Sequence, residues 1–344
     1  MHKRKEENAE DVCIYIYMFI FIFPYPKFAF ALLGKKKMWG LFWHYLVLCL
    51  FFLLFHLQVI SSSSFNSSSP LQKLCSPEQS SALLRFKNTF TINEYSSSSK
   101  TDSWKEGSDC CTWDGVTCDR FTGHVIGLDL SSCGLIGPIN DSSSLFNLHH
   151  LQKLNLADNI FDPSTISPKF GQFTKLTHLN LSSSNFYGLV PTEIFHLSKL
   201  VLLHLSSDFD YLKLRQQGFK NLLQNLTELR YLHLENVDMS SVAVGSFVNL
   251  SSSLISLSLQ SNYMQGKFPN DLFRFPFLQL LRLSDNQNIT VNLPNFNRSN
   301  PLKLLDLSST NFSGKLPDTI GNLMHLNHLR LSGCKFRRVN SAVT

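Results

Sequence analysis

At 344 residues with 43% hydrophobic content, the chain is long enough to bury a large core. Its formal charge of +6 is concentrated at the start: residues 1–74 hold eight Lys and Arg against four Asp and Glu, which leaves +2 for the rest. So small an excess gives no footing for nucleic acid or for an anionic surface.

Residues 1–37 read as an upstream extension, since the apolar run Ile14 to Phe23 is too short to span a bilayer and is broken by Pro24, Pro26 and Lys27. Lys35-Lys36-Lys37 then precede Met38, Leu41 to Ile60 is almost wholly apolar, and Ser61 to Ser64 follow. A basic start, an apolar centre and small residues behind it predict a secretory signal over 38–64, with translation starting at Met38. The same apolar segment is long enough to act as an uncleaved signal-anchor, which is the competing reading. Residues 65–74 continue the serine-rich stretch as a linker with nothing to bury.

Ordered structure is expected from Cys75, in a cap spanning 75–124. Ser76-Pro77-Glu78-Gln79 opens a helix, with serine as N-cap, proline in the first turn and Gln79 reaching back in a capping box. Ala82, Leu83 and Phe86 form its buried stripe, and the helix seals the first coil of the segment that begins at Val125. Trp104 and the string Asp109-Cys110-Cys111-Thr112-Trp113-Asp114-Gly115-Val116-Thr117-Cys118-Asp119 complete the cap. Cys75, Cys110, Cys111 and Cys118 behind a secretory signal point to two disulfides, for which sequence allows three connectivities. Adjacent Cys110 and Cys111 are poorly placed as ligands of one zinc tetrahedron, so no metal is expected.

From 125 to 336 one phrase, Leu-x-x-Leu-x-Leu-x-x-Asn or a stand-in, recurs nine times, its first apolar positions being Val125, Leu151, Leu176, Leu200, Leu229, Leu254, Leu278, Leu302 and Leu326. A spacing of 24 to 29 residues is the leucine-rich-repeat period. The expected fold is an α/β solenoid: a leucine-rich-repeat superhelix with a parallel concave β-sheet and a disulfide-bonded N-terminal cap. Alternation within the phrase makes each repeat one short strand with leucines inward, stacked coil on coil. The ninth position holds Cys133, Asn159, Ser184, Asp208, Val237, Asn262, Asn286, Thr310 and Cys334. Most of these can bond the backbone where the chain leaves the sheet; Val237 cannot, so the fifth coil is expected to turn less tidily. Cys133 and Cys334 read as buried free thiols. Two positions on, Leu135, Phe161, Phe186, Met239, Met264, Phe312 and Phe336 form an apolar spine interrupted at Asp210 and Asn288.

Gly137-Pro138-Ile139, Gly188-Leu189-Val190-Pro191, Gly266-Lys267-Phe268-Pro269 and Gly314-Lys315-Leu316-Pro317 come after the strands at fixed offset. They resemble the Gly-x-(Ile/Leu/Val)-Pro signature of plant-type repeats. With the cap string and the insertion Phe209 to Leu234, roughly Met38 to Phe336 is similar to plant leucine-rich-repeat receptor-like proteins of the Cf type. That resemblance implies disulfides Cys75–Cys110 and Cys111–Cys118. It also implies a cell-surface ectodomain in plant defence or development, binding an extracellular peptide, protein or glycan, with a receptor-kinase co-receptor supplying the signal. Residues 337–344 add no repeat, cysteine cap or membrane helix, so the expectation is the front part of a receptor, anchored by the signal segment or by a missing C-terminal helix. The alternatives are a secreted inhibitor or decoy resembling polygalacturonase-inhibiting proteins, and a non-functional remnant whose final coil is unprotected. The expected location is the secretory pathway, then the plasma membrane's outer face or the apoplast.

Binding would fall to the outward residues of the strands. Tyr231, His233 and Arg282 are the leading patch, with His204, Asp306, His328 and Arg330 beside them, because aromatic and arginine side chains anchor protein recognition. His204 and His233 share a slot on adjacent coils, about 5 Å apart, and are expected to make binding respond to acid. Asn-x-Ser/Thr sequons begin at Asn66, Asn140, Asn180, Asn225, Asn249, Asn288, Asn297 and Asn311. A glycan on Asn180 would obstruct coils two to four, which moves the ligand patch toward coils five to nine. No nucleophile elbow, paired carboxylate, phosphate loop or kinase signature is present in the sequence, so neither enzyme chemistry nor a cofactor is expected.

Overall fold

The computed structural model describes residues 47, 74–93, 99–209, 212–314 and 316–336. The chain divides after Leu71, and all of these but residue 47 lie in the second unit. The upstream extension, the signal segment apart from residue 47, Asn66, Asp210 and the tail 337–344 lie outside the described residues.

Alternating leucines give the predicted strands. Lys153–Asn155, His178–Asn180, Leu202–His204, Tyr231–His233, Ser256–Ser258, Leu280–Arg282, Leu304–Asp306 and His328–Arg330 continue in parallel from Val125–Asp129. Neighbouring central leucines are register partners, Leu154 with Leu179, Leu179 with Leu203 and Leu203 with Leu232. Each of those leucines is at most 1% exposed, and burying one stabilises the fold by about 2 kcal/mol. A parallel sheet has an open edge, and here the cap closes one: Val116–Cys118 pairs antiparallel with Val125–Asp129. Gly127 makes room for that strand, because a Cβ there would meet Thr117 Cβ at 3.0 Å.

Behind the wall the chain makes short lateral strands, the longest set being Ser164–Thr165, Phe186–Leu189, Leu212–Lys213 and Val237–Asp238 in parallel. It then makes single 3-10 turns such as Pro168–Gln172 and Thr192–His196. The insertion replaces one such turn with a ten-residue helix, Gln216–Asn225. Gly137, Gly188 and Gly266 of the second phrase have φ of 140°, 84° and 107°, a backbone that L side chains rarely adopt. The spine is buried at Leu135, Phe161, Phe186, Met239, Met264 and Phe312. Asn288 does not interrupt the core; it faces outward and Ile289, 0% exposed, takes the inward place.

In the cap, a helix α1 (Pro77–Lys87) starts at Ser76, whose hydroxyl accepts from Gln79 N–H at 3.4 Å, and it buries Ala82, Leu83 and Phe86. The capping box does not form. Gln79 instead reaches across to the first repeat strand, its Oε1 accepting from Val125 N–H at 2.6 Å. The pairings Cys75–Cys110 and Cys111–Cys118 are both present. Trp104 and Trp113 stack with centroids 5.4 Å apart, each indole N–H bonded, to Asp114 O and to Ser108 Oγ.

The turn after each strand shows where the untidy coil lies. Asn286 Nδ2 donates to the carbonyls of Leu259, Leu283 and Ser284, while its Oδ1 accepts from Asn262 N–H and Met264 N–H. Just before the ninth position, Ser132, Asp158, Ser183, Asn236, Ser261, Asp285, Ser309 and Gly333 take positive φ, and Ser207 does not. The fifth coil therefore turns like its neighbours: Val237 is buried and Asn236 Nδ2 caps Ser207 O at 2.7 Å. Coil four is the irregular one. A carboxylate has no donor for the carbonyls that line this position, so Asp208 faces solvent and accepts from Ser183 Oγ at 2.7 Å.

Replacing Asn286 by Ala strands three carbonyls and two N–H groups, and is expected to cost about 2–4 kcal/mol. Asp208→Ala should stay within about 0.5 kcal/mol. Urea unfolding of the two variants checks this, and equal losses would contradict the ladder's role.

Candidate functional site

Because the leucines point inward, the residues flanking each central leucine face out and form two rows along the concave wall. One row runs Lys153, His178, Leu202, Tyr231, Ser256, Leu280, Leu304, His328; the other runs Asn155, Asn180, His204, His233, Ser258, Arg282, Asp306, Arg330. Lys153, His328 and Arg330 are exposed, while His204, Tyr231, His233 and Arg282 are half-buried in their neighbours. Tyr231 and His233 share a strand, and Arg282 stands two coils further on, with Ser258 between it and His233.

Asp306 does not offer itself to a partner as expected. It is 5% exposed, accepts from Ser308 N–H at 3.1 Å, and lies 3.7 Å from the Arg330 guanidinium. Its neighbour Arg282 is half-buried and forms no ion pair among the described residues.

The His204 and His233 rings meet edge to face, 5.0 Å between centroids. Beside them sits a group that the outward rows do not include, Glu235, whose carboxylate accepts from Ser206 Oγ and lies 3.9 Å from His204 Nε2. His233 Nε2 is 2.7 Å from Ser256 Oγ. A signal for Glu235 exists in the repeat grammar: its position, the seventh, is serine in six of nine coils and Ala157 and Gln260 in two others, so a carboxylate there is out of pattern.

This setting bears on the expected acid response by making both rings harder to charge. Burial pushes His204 down to about 4, His233 adds to the shift and Glu235 opposes it. Burial lowers His233 as well, with Glu235 opposing and Arg282 reinforcing. Burial, the largest single influence, works to raise the Glu235 carboxyl, but the Ser206 and Ser258 hydroxyls, a backbone N–H and His233 together outweigh it and hold the group below the usual range. Both rings thus take up a proton less readily than an ordinary histidine.

Of the sequons, Asn140, Asn249, Asn288 and Asn297 are exposed, Asn225 and Asn311 half-buried. Asn180 is half-buried on the wall, and its Oδ1 accepts from both Ser182 N–H and Ser182 Oγ.

Residues 76–119 match the family model described as leucine rich repeat N-terminal domain, and residues 175–197 and 301–323 match that of the leucine rich repeat. Receptor-like protein 6 of Arabidopsis thaliana is 41% identical over 300 residues, covering 82% of this chain and 30% of that protein. Receptor-like protein Cf-9 of Solanum pimpinellifolium is 42% identical over 275 residues, covering 75% and 31%. The chain belongs to the plant leucine-rich-repeat receptor-like proteins. It spans about a third of the length of these receptor-like relatives. A solved structure, the ectodomain of the Arabidopsis receptor kinase HAESA with an IDA peptide hormone ligand, superposes with TM-score 0.54 over 75% of this chain and 49% of that one. At 23% identity, that match speaks for the fold of the receptor-like chain alone. Among the described residues no helix is long and apolar enough to cross a membrane.

For both histidines the folded-state pKa lies below the unfolded value of about 6.5, so protons bind the unfolded chain first. Their contribution to stability is whole above that pH and is lost as pH falls below it, down to about 4 for His204. The double variant H204Q/H233Q should therefore show a smaller drop in unfolding midpoint between pH 7 and pH 4.5 than the parent chain. An identical drop would show that the pair does not carry the acid sensitivity.

Proposed function

We propose that this chain is ligand-binding ectodomain sequence of a cell-surface receptor-like protein, and that an extracellular peptide or small protein docks on the concave wall between coils four and nine. The observation that carries this is the wall itself: Tyr231, His233 and Arg282 stand on one continuous sheet face, in a chain about 40% identical to plant receptor-like proteins. HAESA, whose fold is similar, is described with a peptide hormone ligand. His204, His328 and Arg330 extend the patch, and a ligand carboxylate would pair with Arg282. Asp306 acts from below, by positioning Arg330.

The wall's acids support a ligand with negative charge. Asp129 is bonded to Lys100 at 2.8 Å, Glu235 to Ser206, and Asp306 lies against Arg330, whereas Lys153 and Arg282 make no ion pair among the described residues. Secretion and signalling through a partner kinase follow from this reading, as does an extracellular location. Glycans on Asn140, Asn249, Asn288 and Asn297 would leave the wall clear.

Panning a displayed random-peptide library against the secreted chain, then measuring the enriched peptides by calorimetry, tests the reading. Y231A and R282A should each weaken binding about tenfold or more, as truncation of an interface anchor does, while R274A on the outer turn should leave it unchanged. Peptides that bind the wall variants as tightly as the parent would contradict it.

A further inference from the structure

At the edge where the strands begin, the residues just before the first apolar position of coils one to three are His124, His150 and Lys175. The two imidazoles lie face to face, 3.9 Å between centroids and 4° between planes. Gln79 of α1, itself 8% exposed, bonds at both ends of its amide: Oε1 accepts from Val125 N–H at 2.6 Å, and Nε2 lies 2.9 Å from His124 Nδ1. A backbone N–H can only donate, so the amide orientation is fixed and Nε2 is the donor to His124. His124 Nδ1 is therefore unprotonated, and the neutral ring carries its proton on Nε2. Lys175 Nζ lies 2.9 Å from His150 Nδ1, and an ammonium has no acceptor, so His150 is held in the same tautomer.

We propose that the stacked pair His124–His150 is a proton-operated latch joining the cap helix to the first coils, closed while both rings are neutral and opened when either takes up a proton at Nδ1. A proton on His124 Nδ1 confronts the Gln79 amide N–H, and one on His150 Nδ1 confronts the Lys175 ammonium. Charging both rings would set two cations 3.9 Å apart. Burial and the charges of His124, Lys175 and His149 all act to keep His150 neutral. Asp119 is a charged group near His124, and its carboxylate is already engaged by the Thr122 hydroxyl and by the N–H groups of Thr122 and Phe121.

Opening frees Gln79, and with it the Val125 N–H that donates to Gln79 Oε1 at the start of the first repeat strand. The disulfides Cys75–Cys110 and Cys111–Cys118 keep the cap attached, so the response is a local loosening of the joint, remote from the His204–His233 pair on the wall. The inference does not depend on the proposed ligand.

Nitrogen NMR of the full secreted chain at pH 7.5 should find both rings protonated at Nε2 only. The exchange protection of the Val125 amide should then fall by up to about tenfold per pH unit below about pH 6.5, as expected for one proton taken up on opening. In H124F/H150F, where the stack stays but cannot titrate, that protection should be flat. An Nδ1 proton on either ring at pH 7.5 overturns the latch, and so does an equal loss of protection in the double variant. The tautomer reading needs no variant, so it decides the question even if H124F/H150F does not fold.

Discussion

Leu154, Leu179, Leu203 and Leu232 sit side by side in one parallel register, and that register fixes everything else about the wall. Because side chains alternate along a strand, a slip of one residue would send the leucines to solvent and Tyr231, His233 and Arg282 into the core. No coil can bury its leucines alone, so neighbours hold the register for one another. The outward rows are a consequence: their order along the wall is the order of the repeats in the chain, and one unusual coil places one unusual group.

The ninth-position ladder secures the register on the side where the chain leaves the sheet. Asn159 and Asn286 each bond carbonyls of their own coil and of the one before, and Ser184 and Thr310 bond fewer. Where the ladder residue is Asp208, the side chain goes outward and the insertion with its helix Gln216–Asn225 comes next. His204 and His233, on the two coils that flank this insertion, nevertheless stay in lateral register. The loop on the far side changes while the concave wall keeps its register.

Most of the fold was legible because its grammar is repeated: any single alternation is ambiguous, but nine at one period are not. What escaped were contacts between residues far apart in sequence. Gln79 fits a capping box by spacing, yet the buried Val125 N–H, distant in sequence, claims its Oε1. Asp306 reads as an available charge from its strand position, and only the placement of Arg330 and Ser308 shows it to be covered. Val237 reads as a defect, but its neighbour Asn236 supplies the missing donor. For the wall, the row positions were readable and the protonation states were not, since burial around His204 and His233 depends on which side chains lie over them. Glu235 could have been found by asking which outward position departs from the serine consensus.

The alternation of inward and outward residues can be tested by single cysteine substitution and peptide-resolved alkylation in the folded chain, with Cys133 and Cys334 replaced by Ser. Cysteine at 153, 155, 178 and 330 should react readily, and cysteine at 154, 179 and 203 should stay protected until the chain is unfolded. A reactivity pattern with a period near 3.6 residues, or equal reactivity at adjacent positions, would show that these stretches do not form the registered wall on which the account rests.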